Sequence, residues 1–168
     1  LGLPVAGSFD LLDQADREKD AVVNLVARSA TGRAIVRERL SGFGLPFAPL
    51  VHPDVDTFGV SMGRDITVYR GATLCAGSTL GEGCCVFTGA VVGHGARLGE
   101  CCVLAPNAVV NARGVLGRAV YVGANATLLP ELTLGDGATV GAGSSLVDDL
   151  APGSTAISRG ATTSCWAA

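Results

Sequence analysis

The chain is poor in histidine and in aromatic residues. Of its 168 residues only two are histidine, His52 and His94, and aromatic residues make up 5%. No CxxC pair occurs among the six cysteines, which excludes a zinc ribbon by spacing. Two histidines also cannot supply a zinc site that needs three histidines around each metal. We therefore expect a protein without a bound metal.

Other absences restrict the class of function. No GxxxxGK[ST] loop occurs, so ATP chemistry is not expected. There is no long apolar run and no visible signal peptide, so we expect neither a membrane span nor export. The net charge of -3 argues against a nucleic-acid partner. We expect a cytoplasmic protein, and because the chain starts at Leu1 rather than Met, a natural N-terminus further upstream.

A six-residue repeat runs through the middle of the chain without a break. Every sixth residue from Met62 to Leu146 is Leu, Val or Met, as at Val86, Val92 and Leu98. A period of six fits neither an α-helix nor an ordinary strand, and it is typical of a hexapeptide β-helix. The pattern predicts a mainly β fold, in which short parallel strands wind around a prism.

The other positions of the repeat predict the size of one coil. A small residue mostly stands four positions after the aliphatic one, as at Ala90 and Cys102, where the chain would turn a corner with its side chain inward. Glycine follows the aliphatic residue at Gly63, Gly81, Gly99, Gly117 and Gly135, a spacing of three hexads. One coil should therefore have three faces, and successive coils should lie about 4.8 Å apart.

The repeat divides the chain into three parts. Residues 1–51 lack it and predict a strand over 21–27, a helix over 31–40 and a strand over 45–51, which together resemble an incomplete α/β domain. On the predicted helix, Ala34, Ile35 and Leu40 should face inward, and Arg33, Arg37 and Arg39 should face water. Residues 52–151 form the predicted β-helix, and residues 152–168 should cap its last coil.

Two of the cysteines are placed one coil apart at the same corner. Cys84 and Cys102 should therefore be close enough for a disulfide by distance alone. The alternative is that both are small, reduced core residues, which agrees better with a cytoplasmic protein. We do not expect a cysteine nucleophile, because no activator is evident beside any of the six.

His94 is the strongest candidate for a catalytic residue. It follows Val92 inside the perfect repeat, where side chains point outward, and neutral imidazole is a suitable general base. The alternative is a surface or interface histidine. His52, before Pro53, is expected to be a structural turn residue. Later coils offer a flat wall of small residues that suits a thin, amide-bearing ligand such as the pantetheine arm of coenzyme A, with backbone N–H groups for an oxyanion.

The stretch with these features resembles a known family. Residues 91–153, which begin VVGHGARLGECC, and the upstream segment VVNLVARSATGRAIVRERLSGFGLPFAPLVHPDV resemble the left-handed β-helix nucleotide-sugar acetyltransferases. The branch is that of the perosamine and bacillosamine N-acetyltransferases and sialic acid O-acetyltransferase. The resemblance implies a homotrimer that uses acetyl-CoA in polysaccharide biosynthesis.

The resemblance also implies roles for individual residues. His94 falls on the family's catalytic histidine. Positions of the coenzyme A groove correspond to Ala112, Arg113, Gly123, Ala124, Ala142 and Gly143. Positions near the nucleotide-linked sugar correspond to Arg28, Ser29, Phe87 and Thr88.

Several positions depart from the family pattern. The acidic residue that often follows the histidine is Gly95, so another group must orient the imidazole. A second histidine of some members is Val103, and an asparagine seven residues before the catalytic histidine is Phe87. The Gly-rich turn that opens the α/β domain is absent, and the usual C-terminal ending is replaced by Arg159–Thr162.

Three functions are compatible with these observations. The first is acetyl-CoA-dependent N-acetylation of a nucleotide-linked 4-amino-4,6-dideoxy sugar of the GDP-perosamine or UDP-bacillosamine type. The second is O-acetylation of a sugar hydroxyl, and the third is a non-catalytic assembly module. A zinc lyase on the same prism is disfavoured, since it needs three histidines around each metal.

Overall fold

A computed structural model describes residues 7–158, and most of this range is a left-handed parallel β-helix. Seventeen strands of two residues each form three parallel sheets of seven, five and five strands. The mainly β, hexapeptide-repeat fold predicted from the sequence is thereby confirmed.

The chain visits the three sheets in turn. The first sheet holds β1 (Leu50–Val51), β3 (Thr67–Val68), β6 (Cys85–Val86), β9 (Val103–Leu104), β12 (Tyr121–Val122), β15 (Thr139–Val140) and β17 (Thr155–Ala156). The second holds β4 (Thr73–Leu74), β7 (Val91–Val92), β10 (Val109–Val110), β13 (Thr127–Leu128) and β16 (Ser145–Leu146). The third holds β2 (Ser61–Met62), β5 (Thr79–Leu80), β8 (Arg97–Leu98), β11 (Val115–Leu116) and β14 (Thr133–Leu134).

Strand pairing confirms the 18-residue coil. In the first sheet Cys85 pairs with Val103 and Val86 with Leu104, and the same offset recurs in the other two sheets. Each strand is short because the four residues between strands turn one corner of the prism. We call the corner between the first and second sheets the first corner, that between the second and third sheets the second corner, and that between the third and first sheets the third corner.

The repeat explains the core directly. The aliphatic residue of each hexad is the second residue of its strand and points inward, so Val86, Leu104 and Leu128 are completely buried. The small residue four positions later also points inward at the corner, as Ala90 and Cys102 do. Burial of this apolar column is the main favourable term for the prism.

The β-helix begins and ends slightly outside the perfect repeat. Leu50–Val51 was predicted as part of an α/β sheet, but it pairs with Thr67–Val68 and forms the first strand of the first sheet. At the other end, Thr155–Ala156 pairs with Thr139–Val140 and extends the same sheet. Both ends therefore lengthen the prism. The rest of the predicted cap, residues 159–168, lies outside the described residues.

The segment before the prism is mostly irregular. It contains a 3-10 helix, Phe9–Gln14, and one α-helix, α1, Ala30–Ser41. The helix confirms the prediction for residues 31–40, and its Ser29 N-cap accepts a hydrogen bond from the Gly32 N–H. The predicted strand over residues 21–27 is wrong, because only a single bridge between Val22 and Phe47 forms there.

Helix α1 packs on the outside of the first sheet, close to the third corner. Its Ala30 and Ala34 join a small buried cluster with Cys85, Val103 and Ala119 of the prism. This docking overturns part of the predicted helix orientation.

The arginines of α1 do not all face water. Arg33 is fully buried and the Arg37 side chain is 16% exposed, whereas Ile35 is 63% exposed. The amphipathic pattern predicted the wrong face because the Arg33 guanidinium donates to backbone carbonyls, including that of Gly83, and the Arg37 guanidinium pairs with the carboxylates of Asp65 and Glu82. No helix between residues 7 and 158 is long and apolar enough to cross a bilayer.

Candidate functional site

His94 lies at the second corner, in the turn between β7 and β8. Its side chain is exposed, as the repeat predicted. The ring nitrogen Nδ1 lies 2.6 Å from the main-chain oxygen of Ala76, one coil below. A main-chain carbonyl is therefore the group that faces Nδ1.

The hydrogen bond to Ala76 determines which ring nitrogen of His94 carries the proton. A carbonyl oxygen only accepts hydrogen bonds, so Nδ1 must carry the proton. In the neutral imidazole Nε2 then has the free lone pair, and it has no hydrogen-bond partner within residues 7–158. An exposed, unprotonated Nε2 is the arrangement that a general base requires.

Two backbone N–H groups at the same corner of the prism are also unpaired. Those of Gly95, the next residue, and of Ala112, one coil above, have no acceptor in the described part of the chain. Unpaired backbone donors beside a base can stabilise an oxyanion.

Ala112 and Arg113 lie above His94 at the same corner. The Arg113 N–H donates to the His94 carbonyl at 2.9 Å, so the two turns are in direct contact. The Arg113 side chain is 61% exposed, and its Nε lies 2.8 Å from a Glu131 carboxylate oxygen. Of the six residues expected to contact coenzyme A, these two lie beside the histidine.

The other four lie at the first corner. Gly123 and Ala124 turn between β12 and β13, and Ala142 and Gly143 turn between β15 and β16. The two turns stack, with the Gly143 N–H donating to the Ala124 carbonyl at 2.8 Å. A Cβ atom on Gly123 would lie 2.5 Å from the backbone nitrogen of Ala142, so this stacking needs glycine. Together the turns form a flat strip of small residues.

Phe87 and Thr88 lie at the first corner too, in the same coil as His94 but on the other side of the second sheet. The Phe87 ring is stacked on that of Tyr69, with centroids 4.7 Å apart and planes at 7°. Thr88 and Tyr69 line an open, largely apolar cleft of about 350 Å³, together with His52 and Pro53. Within one chain, the first-corner residues and His94 are therefore on different corners of the prism.

Arg28 and Ser29 are on a third surface. They line an open cleft of about 270 Å³ with Thr31, Tyr121 and Thr139, over the outer face of the first sheet. This cleft is not at the His94 corner. Of the predicted site residues, the structure brings only Ala112 and Arg113 next to His94 within one chain.

His52 and the cysteines have other environments. His52 Nδ1 accepts a hydrogen bond from the Asp54 N–H at 3.2 Å, which agrees with a turn role. Cys75 N–H donates to the Val92 carbonyl, one coil from the His94 turn.

The remaining described cysteines are buried thiols. Cys84, Cys85, Cys101 and Cys102 are all free and buried, so the reduced alternative is the one observed. Burial raises the pKa of the Cys85 thiol to about 11 and that of Cys84 well above its usual value. Residues 7–158 contain no group of three His, Cys, Asp or Glu side chains that could hold a metal ion.

Sequence reasoning missed Ala76. It contributes a backbone oxygen, so its residue type carries no signal. The only trace in the sequence is its position, one coil before His94.

Two solved structures of the same architecture are acetyltransferases. A histidine-to-asparagine variant of perosamine N-acetyltransferase from Caulobacter crescentus, in complex with CoA and GDP-perosamine, is 26% identical, with a TM-score of 0.87 over 94% of this chain and 75% of that one. The acetyltransferase domain of PglB from Neisseria gonorrhoeae FA1090, in complex with acetyl coenzyme A, is 29% identical, with a TM-score of 0.87 over 94% of this chain and 77% of that one.

More distant likeness supports the fold alone. WeeI from Acinetobacter baumannii AYE is 19% identical, with a TM-score of 0.82 over 94% of this chain and 78% of that one. No family model and no curated protein sequence matches this chain. In its fold and its structural neighbours, the chain is similar to left-handed β-helix acetyltransferases, as the hexad repeat and the resemblance predicted.

Proposed function

We propose that the protein transfers the acetyl group of acetyl-CoA to the amino group of a nucleotide-linked 4-amino-4,6-dideoxy sugar, of the GDP-perosamine or UDP-bacillosamine type. The observation that carries the proposal is the exposed His94 imidazole with Nδ1 bound to the Ala76 carbonyl and Nε2 free. Support comes from the solved complexes of the two neighbours, one with CoA and GDP-perosamine and one with acetyl coenzyme A.

His94 acts as the general base in this mechanism. The neutral sugar amine attacks the thioester carbonyl carbon while Nε2 removes a proton from the attacking nitrogen. The carbonyl oxygen becomes an oxyanion that the N–H groups of Gly95 and Ala112 can stabilise. When the intermediate collapses, the C–S bond breaks, the imidazolium returns its proton to the sulfur, and the products are the acetamido sugar and free CoA.

The two separate corners favour a site shared between subunits. Coenzyme A would contact Ala112 and Arg113 beside His94, and also the strip of Gly123, Ala124, Ala142 and Gly143 at another corner. A groove between two prisms would bring one corner of each prism to the same pantetheine arm. In the homotrimer that the resemblance implies, the second corner of one subunit would face the first corner of its neighbour.

The nucleotide-linked sugar would reach this groove from the side of the N-terminal segment. Arg28 and Ser29 supply a cation and the N-terminal end of helix α1, which suit a phosphate. Phe87 and Thr88 would lie next to the sugar.

Sedimentation of the wild-type protein tests the trimeric assembly, and a stable monomer at micromolar concentration would contradict it.

Activity with a panel of acceptors tests the function itself. The wild-type protein should acetylate a nucleotide-linked 4-amino-4,6-dideoxy sugar with acetyl-CoA, and mass spectrometry should show one added acetyl group on nitrogen. His94→Ala should lower kcat by about 10²–10⁴-fold, since this is the usual contribution of a general base. His52→Ala is the matched control and should keep near-normal kcat.

Three results would contradict parts of the proposal. Acetylation of only the hydroxyl analogue would make the enzyme an O-acetyltransferase. A near-normal kcat in His94→Ala would show that His94 is not the general base. A thermal-shift experiment in which acetyl-CoA leaves the melting temperature unchanged would favour the assembly module.

A further inference from the structure

With glycine at position 95, the chain has no acidic side chain next to His94 in sequence to orient the imidazole. We propose that the main-chain carbonyl of Ala76 is the positioning group for His94, and that Gly77 is the residue that leaves room for the ring. The inference rests on the proposed function, in which Nε2 is the base. It assigns the role of the acidic residue to backbone atoms of the coil below.

The Ala76 carbonyl is available because the series of hydrogen bonds between successive turns at the second corner is interrupted there. At the two coils above, the turn N–H donates to the carbonyl one coil below, from Arg113 to His94 at 2.9 Å and from Glu131 to Ala112 at 3.0 Å. The corresponding donor to Ala76 would be the Gly95 N–H. Within residues 7–158 it makes no hydrogen bond, and the imidazole Nδ1 takes the carbonyl instead.

Gly77 permits this contact for two reasons. Its φ of +78° is in the left-handed region, where a side chain causes strain. A Cβ atom at position 77 would also lie 3.4 Å from Cε1 and 3.6 Å from Nδ1 of His94. These are van der Waals contacts with the ring atoms next to the hydrogen bond, so longer side chains here would compete with the imidazole for its place.

The uncharged Ala76 carbonyl determines which ring nitrogen of His94 keeps its proton. The carbonyl accepts the same Nδ1 hydrogen bond from imidazole and from imidazolium, so Nδ1 keeps its proton throughout the reaction. Only Nε2 gains and loses a proton. The Ala76 carbonyl therefore fixes both the ring orientation and the tautomer without adding a charged group to the site.

The tautomer can be observed directly in the protein without substrate. Long-range ¹H–¹⁵N spectra distinguish the two ring nitrogens, and with two histidines in the chain a His52→Gln variant leaves His94 as the sole signal. At a pH where the ring is neutral, Nδ1 should be protonated and Nε2 unprotonated. A ring protonated on Nε2, or rapidly averaged between tautomers, would overturn the proposal.

A matched pair of glycine variants separates positioning from backbone strain. Gly77→Leu should place side-chain atoms beyond Cβ against the imidazole, populate the second tautomer and lower kcat by about 10–100-fold, as a small misplacement of a catalytic group does, with the KM for acetyl-CoA unchanged. Gly137→Leu is the control, because Gly137 has a φ of +68° at another corner and no atom closer than 4.0 Å to its Cβ position. It should carry a similar strain and keep the wild-type kcat. Equal effects on kcat in the two variants, or a wild-type tautomer in Gly77→Leu, would contradict the role of Gly77.

Failure of the proposed function looks different: the wild-type protein would acetylate no amino sugar, while the Nδ1 tautomer would still be seen.

Discussion

Arg33, in helix α1, donates a hydrogen bond from Nε to the main-chain oxygen of Gly83, fifty positions later at the third corner of the prism. Its Nη1 donates to the carbonyls of Asn24 at 2.6 Å and Val26 at 3.0 Å. A single, fully buried guanidinium thus joins the N-terminal segment, the helix and the β-helix.

The first prediction is that this side chain anchors the N-terminal segment. Arg33→Met should fill part of the space but leave several buried carbonyls without donors, at a cost on the order of 3 kcal/mol in the free energy of unfolding. Urea denaturation measures this. Arg39→Met is the control on the same helix, because that guanidinium is exposed and only lies 4.4 Å from the centre of the Phe9 ring. A loss in Arg33→Met no larger than in the control would contradict the anchor.

The second prediction concerns pH and the buried carboxylate Asp65, which faces Arg33, Arg37 and Glu82. Desolvation raises the pKa of Asp65, and the charges of Arg33 and Arg37 oppose this. Because the pKa of the folded state is raised, the contribution of Asp65 to stability is complete below its unfolded pKa of about 3.9 and is lost as pH rises through the folded pKa.

Asp65→Asn tests the sign of this effect. The backbone at position 65 has a φ of 59°, which asparagine tolerates. The unfolding free energy of the variant minus that of the wild type should therefore increase between pH 4 and pH 7, measured by urea denaturation at each pH. A difference that stays constant or falls with pH would mean that the arginines outweigh the burial of Asp65.

The third prediction concerns the glycine column at the third corner. A Cβ atom on Gly99 would lie 2.6 Å from both the backbone carbon and oxygen of Gly117 in the next coil. Gly99→Ala should therefore force two coils apart and destabilise the protein by about 1–3 kcal/mol, as overpacking does. Gly32→Ala in helix α1 is the control, since its Cβ would have no neighbour closer than 3.5 Å. It should be neutral or slightly stabilising, and equal melting temperatures for both variants would refute the close approach.

The fourth prediction concerns thiol reactivity. Cys84, Cys85, Cys101 and Cys102 are buried, and burial raises the pKa of three of them, Cys84, Cys85 and Cys101, so little thiolate forms at neutral pH. Iodoacetamide should modify half-buried Cys75 much faster than these four in the native protein. Peptide mass spectrometry measures each site. Rapid labelling of Cys85 or Cys101 would show that helix α1 detaches from the first sheet.

The sequence by itself determined the β-helix, its coil length and its inward-facing residues. A strict period of six leaves little freedom, because a shift by one residue would expose Val86, Leu104 and every other core position of the column. It also singled out His94 as an exposed residue of the repeat. The helix predicted over residues 31–40 is present as Ala30–Ser41.

Only the tertiary structure decided how the parts meet. The burial of Arg33 could not be read from the amphipathic pattern, because it depends on carbonyls from Asn24 and Gly83 that come together only when the segment docks. The same holds for Ala76: a backbone oxygen has no residue-type signature. Its contact with His94 forms only when one coil stacks on the next and the Gly95 N–H leaves the Ala76 carbonyl unpaired. Hydrogen bonds between coils depend on three-dimensional register and on the local geometry of each turn, and the sequence shows neither.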